Sequence, residues 1–358
     1  MTIPRTMKGF QLTGHGGPEK LVWRLDIAVP DPAPGEVLIR VGASSVNNTD
    51  INTRVGWYSK SVRGDTADTA GATGVASDAD GGWGGTALSF PRIQGADCCG
   101  EIVAVGAGVD PDRIGERVLT RTMRVPDGAG GTQTTTMGSE CDGAFAEFCA
   151  APAKDALAVV SDLADAELAT FPCAYSTAEG MIQRAGLGAE RVLIAGASGG
   201  VGVAAIQLAK RRGAHVTAIS APAKAEALRA IGADAVFGRD EAVPVGAFDV
   251  ILDLVGGPRW PGLIDGLRPG ARYAVAGAIA GPIVELDLRT LYLRDLTFFG
   301  CTHQPDRIFE DLVRYIETGE IRPVVAATYD LADLHAAQEA FLSKVHVGKI
   351  AVQVAARD

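Results

Sequence analysis

Between Val192 and Gly202 the chain reads Val-Leu-Ile-Ala-Gly-Ala-Ser-Gly-Gly-Val-Gly, a β-branched apolar run ending in clustered glycines. Its last positions, Ala197-x-Gly199-x-x-Gly202, form a variant of the dinucleotide-binding fingerprint, and a strand before with a helix after is the context that the fingerprint requires. Gly199 lets the backbone approach a pyrophosphate, and Gly202 lets the helix pack closely on the strand. Ala197, Ser198, Gly199, Gly200, Val201 and Gly202 are therefore candidate phosphate contacts, at a helix end whose free N–H groups and dipole favour an anion. The next strand discriminates between cofactors. An NAD site ordinarily places an acid roughly 20 residues on. Here that place is held by Ser220, with Lys224 shortly after it and Arg239 beyond the following short strand. No carboxylate stands there to repel a 2′-phosphate, so NADPH is the expected cofactor and hydride transfer the expected chemistry.

The elements that must position this turn follow from pattern. Arg191–Ala195, His215–Ile219 and Phe248–Asp253 are compact β-branched runs, and helical spacing covers Val201 to Arg212 and Lys224 to Ile231. Repeated βαβ units predict a parallel sheet with helices on both faces. The preceding part has another character. Residues 7 to 55 alternate short apolar runs with turn signals and read as strand and loop, as in Glu36-Val-Leu-Ile-Arg-Val41 after the turn-rich stretch 30–35. A Gly/Asp/Ala/Thr-rich stretch from about Ser59 to Ser89 lacks periodicity and reads as a long loop or lid, expected to be weakly ordered until Trp83 folds inward over bound substrate. A second polar loop covers about Thr122 to Cys141, and a helix is expected at Asp306–Thr318.

A chain of 358 residues with 47% hydrophobic and 21% charged residues has material for two folded domains. A formal charge of −10 without a run of Lys and Arg argues against a nucleic-acid partner. No apolar stretch reaches the ~18 residues of a membrane span, and the first residues lack a secretory h-region. The six cysteines form no C-x-x-C pair; reduced thiols in a cytoplasmic enzyme are the expectation. Cys98-Cys99 reads as two small buried residues rather than a vicinal redox pair.

With the fingerprint turn placed about halfway along it, the whole chain resembles the medium-chain dehydrogenase/reductase superfamily. It is most similar to the quinone oxidoreductase branch that includes zeta-crystallin. The stretches that carry the likeness are 47–58, 95–106, Gly115-Glu-Arg-Val118, 142–148, the cofactor turn and Gly348-Lys-Ile-Ala-Val352. The resemblance implies an α/β protein: a Rossmann doubly wound parallel sheet domain at 156–301, and a GroES-like β-rich substrate domain formed by 1–155 and 302–358. The active site would lie in the cleft between them. A homodimer is the expected assembly.

Zinc-dependent members of that superfamily hold a catalytic metal on three protein ligands. At the corresponding positions this chain has Asn47, Ala96 and Cys173, so only the third is retained. The lobe that would carry a structural zinc retains only Cys141 of four cysteines. No metal site is expected. Without a Lewis acid, hydride addition to a quinone or an α,β-unsaturated carbonyl compound is the less demanding chemistry, because the negative charge spreads onto an oxygen that needs only hydrogen-bond donors. By resemblance Asn47 and Tyr58 lie near nicotinamide and substrate, Tyr58 as a donor or as a wall of the pocket. Thr177, Gly277 and Lys349 match positions near cofactor or cleft. Enoyl-thioester (enoyl-CoA) reduction, or a non-catalytic NADPH-binding role, are the alternatives.

Overall fold

The computed structural model describes residues 2–66, 79–125 and 134–355; the middle of the Ser59–Ser89 stretch and part of the second polar loop lie outside them. Two large sheets organise these residues. The first has six parallel strands in the spatial order Ala235–Phe237, His215–Ile219, Arg191–Ala195, Phe248–Asp253, Leu267–Val275 and Thr297–Gly300. In chain order this is 3-2-1-4-5-6, the doubly wound arrangement whose direction reverses between Arg191–Ala195 and Phe248–Asp253. Such strands are covered on both faces, which is why they read as continuous apolar runs rather than alternating ones.

The second sheet has seven strands built around Glu36–Val46. That strand pairs with Cys99–Val105 and Phe148–Pro152, and also with Lys349–Gln353, which arrives from the far end of the chain. Ile350 stands opposite Val46 in this last pairing, so Lys349 is delivered next to Asn47. Relative to the expected boundaries, strand Ala156–Ala158 pairs with Arg117–Thr120 in this sheet. Helix Asp306–Glu317 instead shares an apolar cluster with helix Pro172–Ala185 and the parallel strands. No helix among the described residues is long and apolar enough to cross a membrane.

One helix departs from the sequence reading. Residues 48–55, expected as strand and loop, form helix Asn48–Val55. Its residues are almost all buried, polar ones included, so apolar periodicity does not announce it. The signal that does is Asn47 followed three residues later by Asp50, a cap pattern: the Asp50 carboxylate accepts from the Asn47 N–H at 2.8 Å. Gly56 then closes the helix in the left-handed conformation, φ 68°, as glycine does at a helix end.

At the cofactor turn, helix Gly200–Arg211 starts directly after Gly199. A Cβ on Gly202 would lie 2.4 Å from the Gly196 carbonyl oxygen and 2.5 Å from backbone atoms of Ala197. These are main-chain atoms of the turn and cannot swing aside. Gly202→Ala is accordingly expected to lower stability by about 1–3 kcal/mol, read as a fall in melting temperature by calorimetry; an unchanged transition would show that the turn has slack.

Candidate functional site

Where the two sheets meet, a buried ion pair gathers the chain. The Lys349 ammonium is within 3.0 Å of Asp97 Oδ2, and both residues are almost wholly withdrawn from solvent. Lys349 also donates to the Val46 carbonyl at 3.1 Å and to Asn47 Oδ1. Asp97 is equally occupied. Its Oδ2 accepts from Ser45 Oγ and, at 2.7 Å, from Asn47 Nδ2, while Oδ1 accepts the backbone N–H of Cys173 at 2.6 Å. A buried charge is tolerable only when its hydrogen-bonding capacity is met in this way. The knot thereby joins strand Lys349–Gln353, the start of helix Asn48–Val55 and the start of helix Pro172–Ala185.

Asn47 is thus brought to the cleft, but its carboxamide is engaged at both ends, with Ser45 O as a further acceptor at 3.2 Å. What it can do is hold position. Asp50 below it receives N–H groups of Asn47 and Gly95 at 2.8 and 3.2 Å. Burial, with Asp97 nearby, pushes its carboxyl up to about 7. Burial likewise raises the Cys173 thiol, so the third ligand position holds a neutral group.

Tyr58 faces the same space. Burial lifts its phenol well above the ordinary tyrosine range, with Asp50 and Cys173 adding to the shift and the adjacent Thr49 and Asn52 opposing it. Thr49 Oγ1 and Asn52 Oδ1 are buried and meet no hydrogen-bond partner of good geometry. Sequence reading passed over both, although each sits on the face of helix Asn48–Val55 that carries Tyr58's neighbours. Trp83 packs edge-on against the Tyr58 ring at 4.9 Å and Trp57 at 5.7 Å. The described ends of the Ser59–Ser89 stretch are held by hydrogen bonds, while the loop reading of its middle lies outside the described residues. Trp83 N donates to Ser139 Oγ at 3.2 Å, Gly84 N to Glu140 at 2.8 Å, and Thr66 N to the Ile279 carbonyl, across the cleft, at 3.0 Å.

The cofactor candidates also converge. Gly348 N donates to the Ser198 carbonyl at 3.0 Å, Gly199 and Gly348 form a β-bridge, and the Lys349 methylenes lie where a Cβ on Gly200 would go. Ala197 is buried in the turn, its N–H on the Ile219 carbonyl, and Val201 is half-buried on the first turn of the helix. Ser220 is buried at the end of its strand, and its Oγ has no partner. The Lys224 ammonium donates to Ser198 Oγ at 3.3 Å and is lowered in pKa by burial and by Arg239, which is exposed. Gly277 is a point of close approach, since a Cβ there would meet the Leu254 carbonyl at 2.8 Å. Thr177 is buried with its hydroxyl on the Cys173 carbonyl at 2.7 Å. These residues fit a nucleotide: a helix N-terminus, glycines that leave room, and a buried hydroxyl waiting for a partner.

Cys98 and Cys99 do not pair with each other. Cys98 Sγ lies 3.7 Å from Cys149 Sγ, and Cys99 Sγ contacts Asp165 at 3.6 Å; all six cysteines are free thiols.

Residues 33–161 match the family model described as an alcohol dehydrogenase GroES-like domain, and residues 231–352 the one described as a zinc-binding dehydrogenase. The crystal structure of a chain assigned as an alcohol dehydrogenase from Sinorhizobium meliloti superposes with a TM-score of 0.86 and 46% identity, covering 98% of this chain and 97% of that one. The chain belongs to the medium-chain dehydrogenase/reductase superfamily, in its quinone oxidoreductase-like branch. It is an oxidoreductase. A quinone oxidoreductase of Lama guanicoe is 27% identical over 94% of both chains. An acryloyl-coenzyme A reductase of Sulfurisphaera tokodaii is 27% identical over 91% of this chain and 95% of its own.

The buried pair generates a direct test. Asp97→Asn leaves the Lys349 ammonium buried without a counter-charge, which costs about 3–5 kcal/mol. Urea unfolding is expected to show that loss, and a midpoint near wild type would mean that the pair is dispensable.

Proposed function

We propose that this reductase uses NADPH, works without zinc and delivers hydride to a quinone or an α,β-unsaturated carbonyl compound. The observation that carries this reading is the engagement of the side chains at the metal-ligand positions. Asn47 is bonded to Lys349 and Asp97, Ala96 has no donor, Cys173 is held neutral, and Asp97 is saturated. Among the described residues no three His, Cys, Asp or Glu side chains cluster as a metal site. This donor set does not fit zinc, whatever the name of the matching family model.

NADPH is supported by Ser220 in place of an acid and by Lys224 and Arg239 beside it. When bound, the nicotinamide supplies a hydride to the electron-poor carbon of the acceptor. The rest falls to side chains. The Tyr58 phenol, whose pKa burial raises, would donate to the oxygen on which negative charge gathers. Trp57 and Trp83, packed against the Tyr58 ring, keep water from the reacting atoms. The free thiols suit a cytoplasmic setting.

A homodimer is supported by the parallel sheet's end strand. Thr297–Gly300 closes the sheet at one edge, and Ile283, Leu288, Tyr292 and Leu293 just before it are exposed apolar side chains. An open edge beside an apolar patch invites a second copy related by two-fold symmetry. Sedimentation is expected to give twice the chain mass, with Leu288→Lys/Tyr292→Lys shifting it toward one chain; a monomeric wild type would remove this part of the reading.

The activity is tested by following NADPH consumption with a panel of quinones, enones and enoyl-thioesters, with and without chelator. Turnover of quinones or enones that survives chelation is expected, with NADPH bound at least about tenfold tighter than NADH, roughly 1.4 kcal/mol. Tyr58→Phe is expected to lower kcat more than it changes NADPH affinity. Preference for the enoyl-thioesters would favour the second reading, to which the likeness to an acryloyl-coenzyme A reductase points; no turnover of any acceptor would leave a binding protein.

A further inference from the structure

Between helix Leu334–Leu342 and strand Lys349–Gln353 the chain places Lys344 and His346. Lys349 is accounted for by Asp97; Lys344 has no comparable explanation. Its ammonium lies 3.6 Å from the centre of the Phe341 ring and donates to Asn48 Oδ1 at 3.1 Å. The Lys224 ammonium donates to the carbonyls of Lys344 and His346 at 2.6 and 2.7 Å. Among the described residues no carboxylate pairs with either lysine. Two cations therefore share one corner with only neutral acceptors around them, an arrangement that favours an incoming anion. Burial and the neighbouring Lys224 push the Lys344 ammonium down to about 8, and burial with these lysines pushes His346 down to about 4.

Two further observations point to a ligand. His346 Nδ1, two residues from Lys344, is a buried polar atom without a partner. Lys344 also has a positive φ of 54°, at a helix end where glycine or asparagine is the comfortable residue. Strain of this kind persists where the surroundings fix it, most often at ligand sites.

The corner is built against the cofactor turn. Gly348 bridges Gly199, and its N–H holds the Ser198 carbonyl. Segment 344–348 thus runs across the mouth of helix Gly200–Arg211, and Asn48, the first residue of its own helix, closes the other side.

We propose that Lys344 is a pyrophosphate-binding residue, supplied to the cofactor by the C-terminal segment opposite the glycine turn. The division of labour is then by charge. Lys224 serves the 2′-phosphate peculiar to NADPH, and Lys344 serves the diphosphate common to NADPH and NADH. The proposal rests on the nucleotide-binding reading given above.

The test titrates NADPH and NADH into the intact protein by fluorescence, for wild type, Lys344→Gly, Lys344→Arg and Lys224→Met. Glycine suits the positive φ, so Lys344→Gly removes the charge without burdening the backbone, and an undiminished melting temperature checks this. Lys344→Gly is expected to weaken both cofactors by about tenfold or more and to similar extents, Lys344→Arg to recover most of that affinity, and Lys224→Met to weaken NADPH more than NADH. If Lys344→Gly leaves both affinities within about twofold of wild type while Lys224→Met still discriminates, the role of Lys344 is overturned and the NADPH reading stands. A loss confined to NADPH in Lys344→Gly also overturns the assignment, moving the residue to the 2′-phosphate. If the wild type binds neither nucleotide, the underlying reading falls and the proposal with it.

Discussion

The cleft depends on one buried charge pair. Lys349 and Asp97 are separated by 252 positions in sequence, and each is acceptable inside the protein only because the other is there. Desolvating an ammonium and a carboxylate costs several kcal/mol per ion, and their attraction offsets this only with good geometry and full hydrogen bonding. Both conditions are met. Asp97 accepts from Ser45, Asn47, Lys349 and Cys173, so the pair is a fixed reference point from which two helices and a strand are measured. A site that must present a hydride acceptor to a nicotinamide with sub-ångström tolerance gains from such a reference.

The ammonium neutralises Asp97 but is locked among oxygens, so it has no coordination position to offer a substrate. Under the proposed function, polarisation of an acceptor falls to neutral donors at the edge of the knot, among them the Tyr58 phenol, whose pKa burial raises.

The parts of the fold legible in sequence are those whose physics is local. The parallel strands are continuous apolar runs, and the fingerprint turn declares itself because only glycine fits at Gly202. Ser220, Lys224 and Gly199 could be named for the same reason. Helix Asn48–Val55 escaped because most of its buried side chains are polar, with Ile51 and Val55 its only buried apolar ones. Asp97 and Lys344 matter through partners that the chain brings together only on folding, and no spacing rule encodes a contact between residue 48 and residue 344. Cys98 was read correctly as buried, but its neighbour Cys149 lies across a sheet and not beside it in sequence.

The pairing of Lys349–Gln353 with Glu36–Val46 has a consequence for how the molecule comes into being. Sequential strands usually neighbour one another, yet here an interior strand of the substrate sheet is synthesised some 303 residues after the strand it joins. The parallel sheet, whose strands all lie between Arg191 and Gly300, is complete before that strand leaves the ribosome. Nascent chains fold domain by domain as they emerge, so the nucleotide-binding half can assemble while the earlier-made half waits with an open edge. The Lys349–Asp97 contact is among the last that the growing chain can make.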